Sequence, residues 1–309
     1  MRFYACAALA AVACASPPQG VAYDPTRTQV VLLGTGNPNP DPARSGPAVA
    51  VVAHGAAYLV DAGPGIVRRA AAAESRGVKA LGQPNLRIVF LTHLHSDHTL
   101  GLPDLIFSPW VMNRVVPLEV YGPPGTTAMV DHLERAYAAD VANRTTGLQP
   151  HTSDGWRAVA HEVTAGVVYR DSNVTVTAFL VPHDGWAQAF GYRFEARDRT
   201  IVISGDTRAS DSIVAACRGC DVLVHEVYSE AGLATRPPEW QRYHRDAHTS
   251  GPDVGAIAER AKTGANSRWP LDLSPPPPGN CTECVASKIT GKPERFMMAI
   301  ARMSATRLL

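Results

Sequence analysis

The stretch His93-Leu94-His95-Ser96-Asp97-His98 puts three imidazoles and a carboxylate within six residues. It directly follows Arg87-Ile88-Val89-Phe90-Leu91-Thr92, an apolar, β-rich run, so the cluster falls where a buried strand opens into a loop. Neutral imidazole and carboxylate are the nitrogen and oxygen donors that Zn²⁺ and its divalent neighbours take at about 2.0–2.2 Å. In an extended loop, side chains two apart point the same way, so His93 and His95 can grip one ion. Asp97 and His98, one step further on, turn towards a second. A chance histidine-rich loop is the bland alternative, and the density of the pattern argues against it.

Outward from the cluster, strands and helices mix without a fixed repeat. Gln29-Val30-Val31-Leu32-Leu33 reads as a strand ending in Gly34-Thr35-Gly36. Residues 48–52 and 57–60 read as a hairpin turned at His54-Gly55. Pro64 stands at a first-turn position and opens a helix through Arg68-Arg69-Ala70 towards Gly77. Beyond the cluster come a helix over 104–114, a strand over 117–121 and a helix over 127–143. The second half reads as strands at 174–181, 190–194, 200–204 and 222–225, with helices at 210–216 and 254–261. Hairpins mixed with helices predict two sheets sandwiched between helices. From about Asn266 the chain runs into Pro275–Pro278, a composition that excludes a central strand there.

With 309 residues, 45% of them hydrophobic, the chain can bury one large core. Residues 1–15 combine a basic start, an apolar run and Ala13-Cys14-Ala15, so they read as a cleaved signal peptide with Ser16 as the new N-terminus. The expectation is an exported protein, periplasmic or secreted, with lipidation at Cys14 as the variant; the run is too short to span a bilayer. Lys and Arg number 29 against 28 acids, and the leader holds Arg2 and no acid, which leaves 28 against 28. That balance gives no global pull towards nucleic acid or membrane. Cys217/Cys220 and Cys281/Cys284 form two C-x-x-C pairs, but their separation is far longer than a zinc ribbon uses, and a disulfide or buried thiols are the plainer readings.

The cluster, the Gly-rich turn and the order of elements resemble the metallo-β-lactamase fold over roughly residues 29–264. The resemblance implies an α/β chain built as a four-layer αββα sandwich, with a hydrolase domain at 16–265 and a poorly determined tail at 266–309. Asp61-Ala62-Gly63-Pro64-Gly65 looks like the family turn that braces the metal loop. His183, in Val181-Pro182-His183-Asp184-Gly185-Trp186, looks like the third histidine of the first metal site, and Asp206, in Ile203-Ser204-Gly205-Asp206-Thr207, like the carboxylate bridging two ions. The finer resemblance is to the ribonuclease Z and arylsulfatase-like branch. It rests on Tyr121-Gly122-Pro123-Pro124-Gly125-Thr126, Val224-His225-Glu226-Val227-Tyr228 and His248-Thr249-Ser250.

The resemblance thus implies metal ligands His93, His95, Asp97, His98, His183 and Asp206. It implies catalytic roles for Asp97, Glu226 and His248, and two Zn²⁺ ions, with Mn²⁺ or Fe as alternatives. The activity implied is hydrolysis of a phosphodiester or other ester by a water that the ions activate, with a Glu226–His248 pair protonating the leaving oxygen. The family's final histidine ligand has no counterpart after His248; Asp272 lies near its place, so the second site is expected to be weak. A natural C-terminus different from the printed one is a second explanation, because the motifs stop near Gly264. Members that process transfer RNA carry a basic loop after the first Gly-rich turn and a long basic arm. Here the loop reads Asn37-Pro38-Asn39-Pro40-Asp41-Pro42-Ala43-Arg44-Ser45, with one arginine, so the expectation is a small ester or phosphodiester substrate and not transfer RNA. Oligomeric state is left open. The competing readings are a lactonase or thioesterase of the same fold, a metal-binding protein without turnover, and a cysteine-zinc interaction module.

Overall fold

Two six-stranded sheets carry the molecule. In the first, β1 (Gln29–Gly34), β2 (Ala48–Ala53), β3 (Ala56–Val60), β4 (Ile88–Phe90), β5 (Leu118–Gly122) and β6 (Ala158–Glu162) lie side by side in chain order. The second contains β7 (Gly166–Arg170), β8 (Val174–Val181), β9 (Ala189–Ala196), β10 (Thr200–Ile203), β11 (Val222–Val227) and β12 (Met297–Arg302), again in order. The computed structural model describes residue 24, residues 26–149 and 154–261, and the backbone of β12. The leader read at 1–15, Asp272, Pro275–Pro278, Cys281 and Cys284 lie outside the described residues.

The period of two along the strands builds the layers. In β2, Ala48, Ala50 and Val52 join one core with Leu59, Ile66 and Leu102, while Val49, Val51 and Ala53 join another with residues of the second sheet. Every residue of β2 is therefore buried, as a strand covered on both faces must be. His54 (φ 49°) and Gly55 (φ 81°) supply the two left-handed residues that a tight two-residue hairpin needs. Between the sheets Phe90 meets Tyr192 at 5.4 Å and Phe194 at 5.6 Å, ring centre to ring centre, in the tilted and edge-on arrangements aromatic quadrupoles prefer.

Outside the first sheet lie α1 (Ile66–Ser75), α3 (Leu102–Val111) and α4 (Thr126–Ala136), burying Ile66, Leu105 and Val130. Outside the second, Ile213 of α6 (Asp211–Ala216) and Ile257 of α9 (Gly251–Ala261) pack on Val202 and Leu223. This is the expected four-layer αββα sandwich. Cys217 and Cys220 are joined by a disulfide within that outer core, so this pair does not form half of a zinc ribbon.

Several elements depart from expectation. The helix read over 127–143 breaks at Tyr137 into α4 and α5 (Ala138–Thr146). Asp97 and His98 sit on a helical turn, α2 (Ser96–Thr99), not in an extended loop; Leu100 N–H donates to Ser96 O, and Thr99 Oγ1 donates to His95 O. α7 (Glu230–Leu233) and α8 (Pro238–Ala247) were not foreseen, nor were β6 and β7. The tail at 266–309 includes β12, which runs antiparallel to β11.

Candidate metal centre

The ends of β3, β4, β8, β10 and β11 meet at one edge of the sandwich. The residues just past β4 and β8 bring three imidazoles together, with His93 Nε2 at 2.9 Å and His183 Nε2 at 3.3 Å from His95 Nδ1. Burial pushes His93 well below the ordinary histidine range and lowers His183 and His95 as well, so all three are neutral near pH 7. The surrounding bonds set the tautomers. Thr92 Oγ1 gives its hydrogen to Asp61 and so accepts from His93 Nδ1; His183 Nδ1 donates to Ala247 O at 2.9 Å. Both rings thus turn an Nε2 lone pair inward, the arrangement in which metal-binding histidines are held. His95 differs, because Trp186 Nε1–H donates to its Nε2 at 3.0 Å. Holding a cation through Nδ1 requires the His95 proton to sit on Nε2 and the indole to give up that bond.

A second set adjoins the first. His98 Nδ1 donates to Asp61 Oδ2 at 2.8 Å, while its Nε2 lies 3.3 Å from Asp206 Oδ2 and 3.7 Å from Asp97 Oδ2. That Nε2 is buried and makes no well-aligned hydrogen bond. Burial alone would lower His98, but the carboxylates of Asp206 and Asp61 outweigh it and hold the ring well above its usual value. Asp206 answers in kind: burial opposes its ionisation, and attraction to His98 then holds it well below the carboxylate range. Burial raises Asp97, with His98 pulling the other way. Among the described residues, His93, His95 and His183 form one group spaced to hold an ion, and His93, His98 and Asp206 a second. The inward Nε2 lone pairs of His93 and His183 around the His95 ring, with the buried His98 Nε2 beside two carboxylates, are the nitrogen and oxygen donors that divalent cations take.

Glu226 of β11 and His248 stand beyond Asp206. His248 Nδ1 lies 2.8 Å from Glu226 Oε2, and Thr207 N–H donates to Oε1 at 2.6 Å. Burial raises the Glu226 carboxyl, to about 7. Burial alone would lower His248, but the carboxylate outweighs it and lifts the ring to about 9. The geometry therefore favours a protonated His248 leaning on an ionised Glu226. Both line a cavity of about 630 Å³ together with Asp97 and Asp206; Arg236 and, from α8, Trp240, Tyr243 and His244 line it as well.

All of the ligands and catalytic residues expected from the sequence thus gather at this one edge. Asp61, expected as a brace, binds both the Thr92 backbone N–H and His98. Trp186, the Ala247 carbonyl and the aromatic face of α8 were missed. Trp186 lies only three residues from His183, and its indole could have been weighed; a backbone carbonyl leaves no mark in a sequence. His225 is buried beneath the site with Nδ1 bonded to Glu226 O, and burial lowers it to about 4.

Residues 57–265 match the sequence family described as the beta-lactamase superfamily domain. Ribonuclease Z of Mycobacterium bovis is 37% identical over 239 residues, covering 76% of this chain and 83% of that protein. Ribonuclease Z of Mycobacterium marinum is 36% identical over 242 residues, with the same coverage. Among solved structures, human tRNase Z, short form, superposes with a TM-score of 0.57 at 23% identity, over 75% of this chain and 88% of that one. The metallo-beta-lactamase fold protein YhfI of Bacillus subtilis gives 0.55 at 16% identity, over 75% and 81%; both are likenesses of fold. The expectation that excluded transfer RNA is overturned by the relatives named ribonuclease Z. It rested on the export reading, on net charge, on one loop and on finding no basic arm, and a net charge does not say where the cations sit. By its matched domain, its relatives and its histidine cluster, the chain belongs to the beta-lactamase superfamily, as a hydrolase of the ribonuclease Z branch.

Proposed function

We propose that this chain is a zinc-dependent RNA phosphodiesterase with transfer RNA as its substrate. The observation that carries the reading is the Glu226–His248 pair, closed at 2.8 Å, on the wall of the same cavity as Asp97 and Asp206. A ribose oxygen is a poor leaving group that needs a proton, and a histidine held protonated by a buried carboxylate supplies one. In this reading His93, His95 and His183 hold one ion; Asp97, His98 and Asp206 hold the other. Bound there, two divalent ions would lower the pKa of an attacking water and neutralise charge growing on the phosphoryl oxygens. Asp97 orients the water, His248 protonates the departing oxygen, and Glu226 positions His248. Arg236 offers a cation to the phosphate, and the exposed ring of Trp240 offers a face to a base.

The test uses a 5′-labelled precursor transfer RNA with a 3′ trailer, beside bis-p-nitrophenyl phosphate, whose leaving group needs no proton. The expected result is site-specific cleavage that EDTA abolishes. His248→Ala should slow RNA cleavage by about 10²–10⁴-fold and p-nitrophenolate release far less. Hydrolysis of the small diester with no cleavage of any RNA would refute the assignment. Equal losses on both substrates would remove His248 from the proton-donor role.

A further inference from the structure

Next to the metal cavity, and separated from it by one loop, lies a second pocket of about 500 Å³. The loop is closed at its base by Gly36 N–H donating to Ser45 O at 2.7 Å. Asn37, Pro38 and Asn39 line the metal cavity; Ala43, Arg44 and Ser45 line the second pocket. Arg69 of α1 and Arg76, which caps that helix seven residues on, complete it, and among the described residues no acidic side chain lines it. Arg69 is fixed to the loop, its Nε donating to Ser45 Oγ at 3.1 Å. Arg44 Nε lies 3.6 Å from Asp41 Oδ2, while its Nη1 is buried without a hydrogen-bond partner. A buried guanidinium N–H left unmatched costs free energy that an incoming oxyanion recovers.

Resting on the phosphodiesterase reading above, we propose that the Arg44–Arg69–Arg76 pocket binds a backbone phosphate of the RNA strand whose scissile bond lies at the metal centre. Three guanidinium groups with donors in rigid forks suit phosphate oxygens. Thr35 lines both cavities, and the loop from Gly36 to Ser45 contributes to each, so one RNA chain passing over Asn37–Asn39 would touch both. Two of the three cations, Arg69 on α1 and Arg76 at its C-terminal end, come 24 or more residues after the loop. The loop therefore reads as poor in charge, although the folded site beside it is basic.

The experiment compares the full chain with the triple variant Arg44→Gln/Arg69→Gln/Arg76→Gln. A control is Arg68→Gln, which removes a charge from the same helix where it pairs with Asp104. Affinity for precursor transfer RNA is measured by fluorescence anisotropy across a salt series, alongside turnover of bis-p-nitrophenyl phosphate. The expected result is an affinity loss of tenfold or more in the triple variant, with a log–log salt slope flatter by about 0.7–0.9, the release that goes with one phosphate contact. Arg68→Gln and the small-diester turnover should stay near wild type. Unchanged RNA affinity in the triple variant overturns the proposal, as does an equal loss per charge in Arg68→Gln, which would mean a diffuse field. Retention of RNA affinity with loss of inorganic phosphate binding would assign the pocket to a free anion and also overturn it. A wild-type chain that hydrolyses the small diester but neither binds nor cuts RNA would instead refute the phosphodiesterase reading, and this proposal with it.

Discussion

Asp61→Asn tests the logic of the second ion site with almost no change in shape. The Asp61 carboxylate accepts from Thr92 N–H at 2.8 Å, from Thr92 Oγ1 at 3.0 Å and from His98 Nδ1 at 2.8 Å. An asparagine can keep the Thr92 bonds through its carbonyl oxygen, but it then turns an NH₂ towards His98. The ring has two choices. It can keep its proton on Nδ1, facing a donor, which forfeits a charged hydrogen bond of about 1.5–3 kcal/mol. Or it can move the proton to Nε2, which removes the lone pair an ion needs. Either choice taxes metal binding and leaves the sandwich standing, so affinity for the weaker of two Zn²⁺ ions should fall about 10–100-fold. Chelator competition on metal-free protein, read with thermal unfolding in EDTA, measures both quantities. A variant that holds both ions as tightly as wild type would refute the tautomer argument; Asp61→Ala, which unbraces Thr92 too, should lose fold stability as well.

Arg114 is buried, and its guanidinium donates to the carbonyls of Leu86, Leu105, Ile106 and Gly155. Arg114→Met should cost about 3–5 kcal/mol in denaturant unfolding with metal content intact, and a loss under about 1 kcal/mol would sink the clamp reading. Trp186→Phe removes the indole N–H that competes for the tautomer of His95, so Zn²⁺ should bind severalfold tighter by the same competition assay; weaker binding would show the indole supports the site. Although burial alone would raise Asp171, hydrogen bonds from Tyr58 and the Val174 and Asn173 backbone outweigh it and lower the carboxyl. A folded-state pKa below the unfolded value stabilises above about pH 4 and loses that contribution as pH falls through the folded value. Asp171→Asn should therefore flatten the acid limb of the stability–pH curve, and an unchanged limb would exclude Asp171 as its source.

What could be read without a structure was whatever repeats on the scale of one element. The alternation of β2 and β3, the His-Gly turn between them and the ligand motifs each carry their own pattern within a dozen residues. α8 has no such signature, because its large apolar side chains, Trp240 and Tyr243, turn to the metal cavity and not to a core. β6 is an edge strand whose residues are half-buried or exposed, so its alternation is weak. The helical turn at Ser96–Thr99 is too short to show a period at all. Within the site, the His93–His98 cluster was legible from side-chain chemistry and His183 and Asp206 only through the family resemblance, whereas the groups that choose each tautomer were harder to see. Ala247 acts through its carbonyl, and Thr92 acts because Asp61, 31 residues away, takes its hydrogen.

The same limit explains why charge misled. A count of 29 bases against 28 acids says that the charges nearly sum to zero, and nothing about separation among them. The fold sorts the charges across one loop: Asp97, Asp206 and Glu226 gather on the metal side, Arg44, Arg69 and Arg76 on the other. A carboxylate basin by itself repels a phosphodiester, and it becomes a phosphate site only when cations fill it. Free of ions, the chain should bind RNA mainly through the arginine side; with ions present, through both. RNA affinity that rises with Zn²⁺ in the full chain, and that keeps an ion-independent remainder sensitive to Arg69, is therefore the pattern this distribution of charge requires.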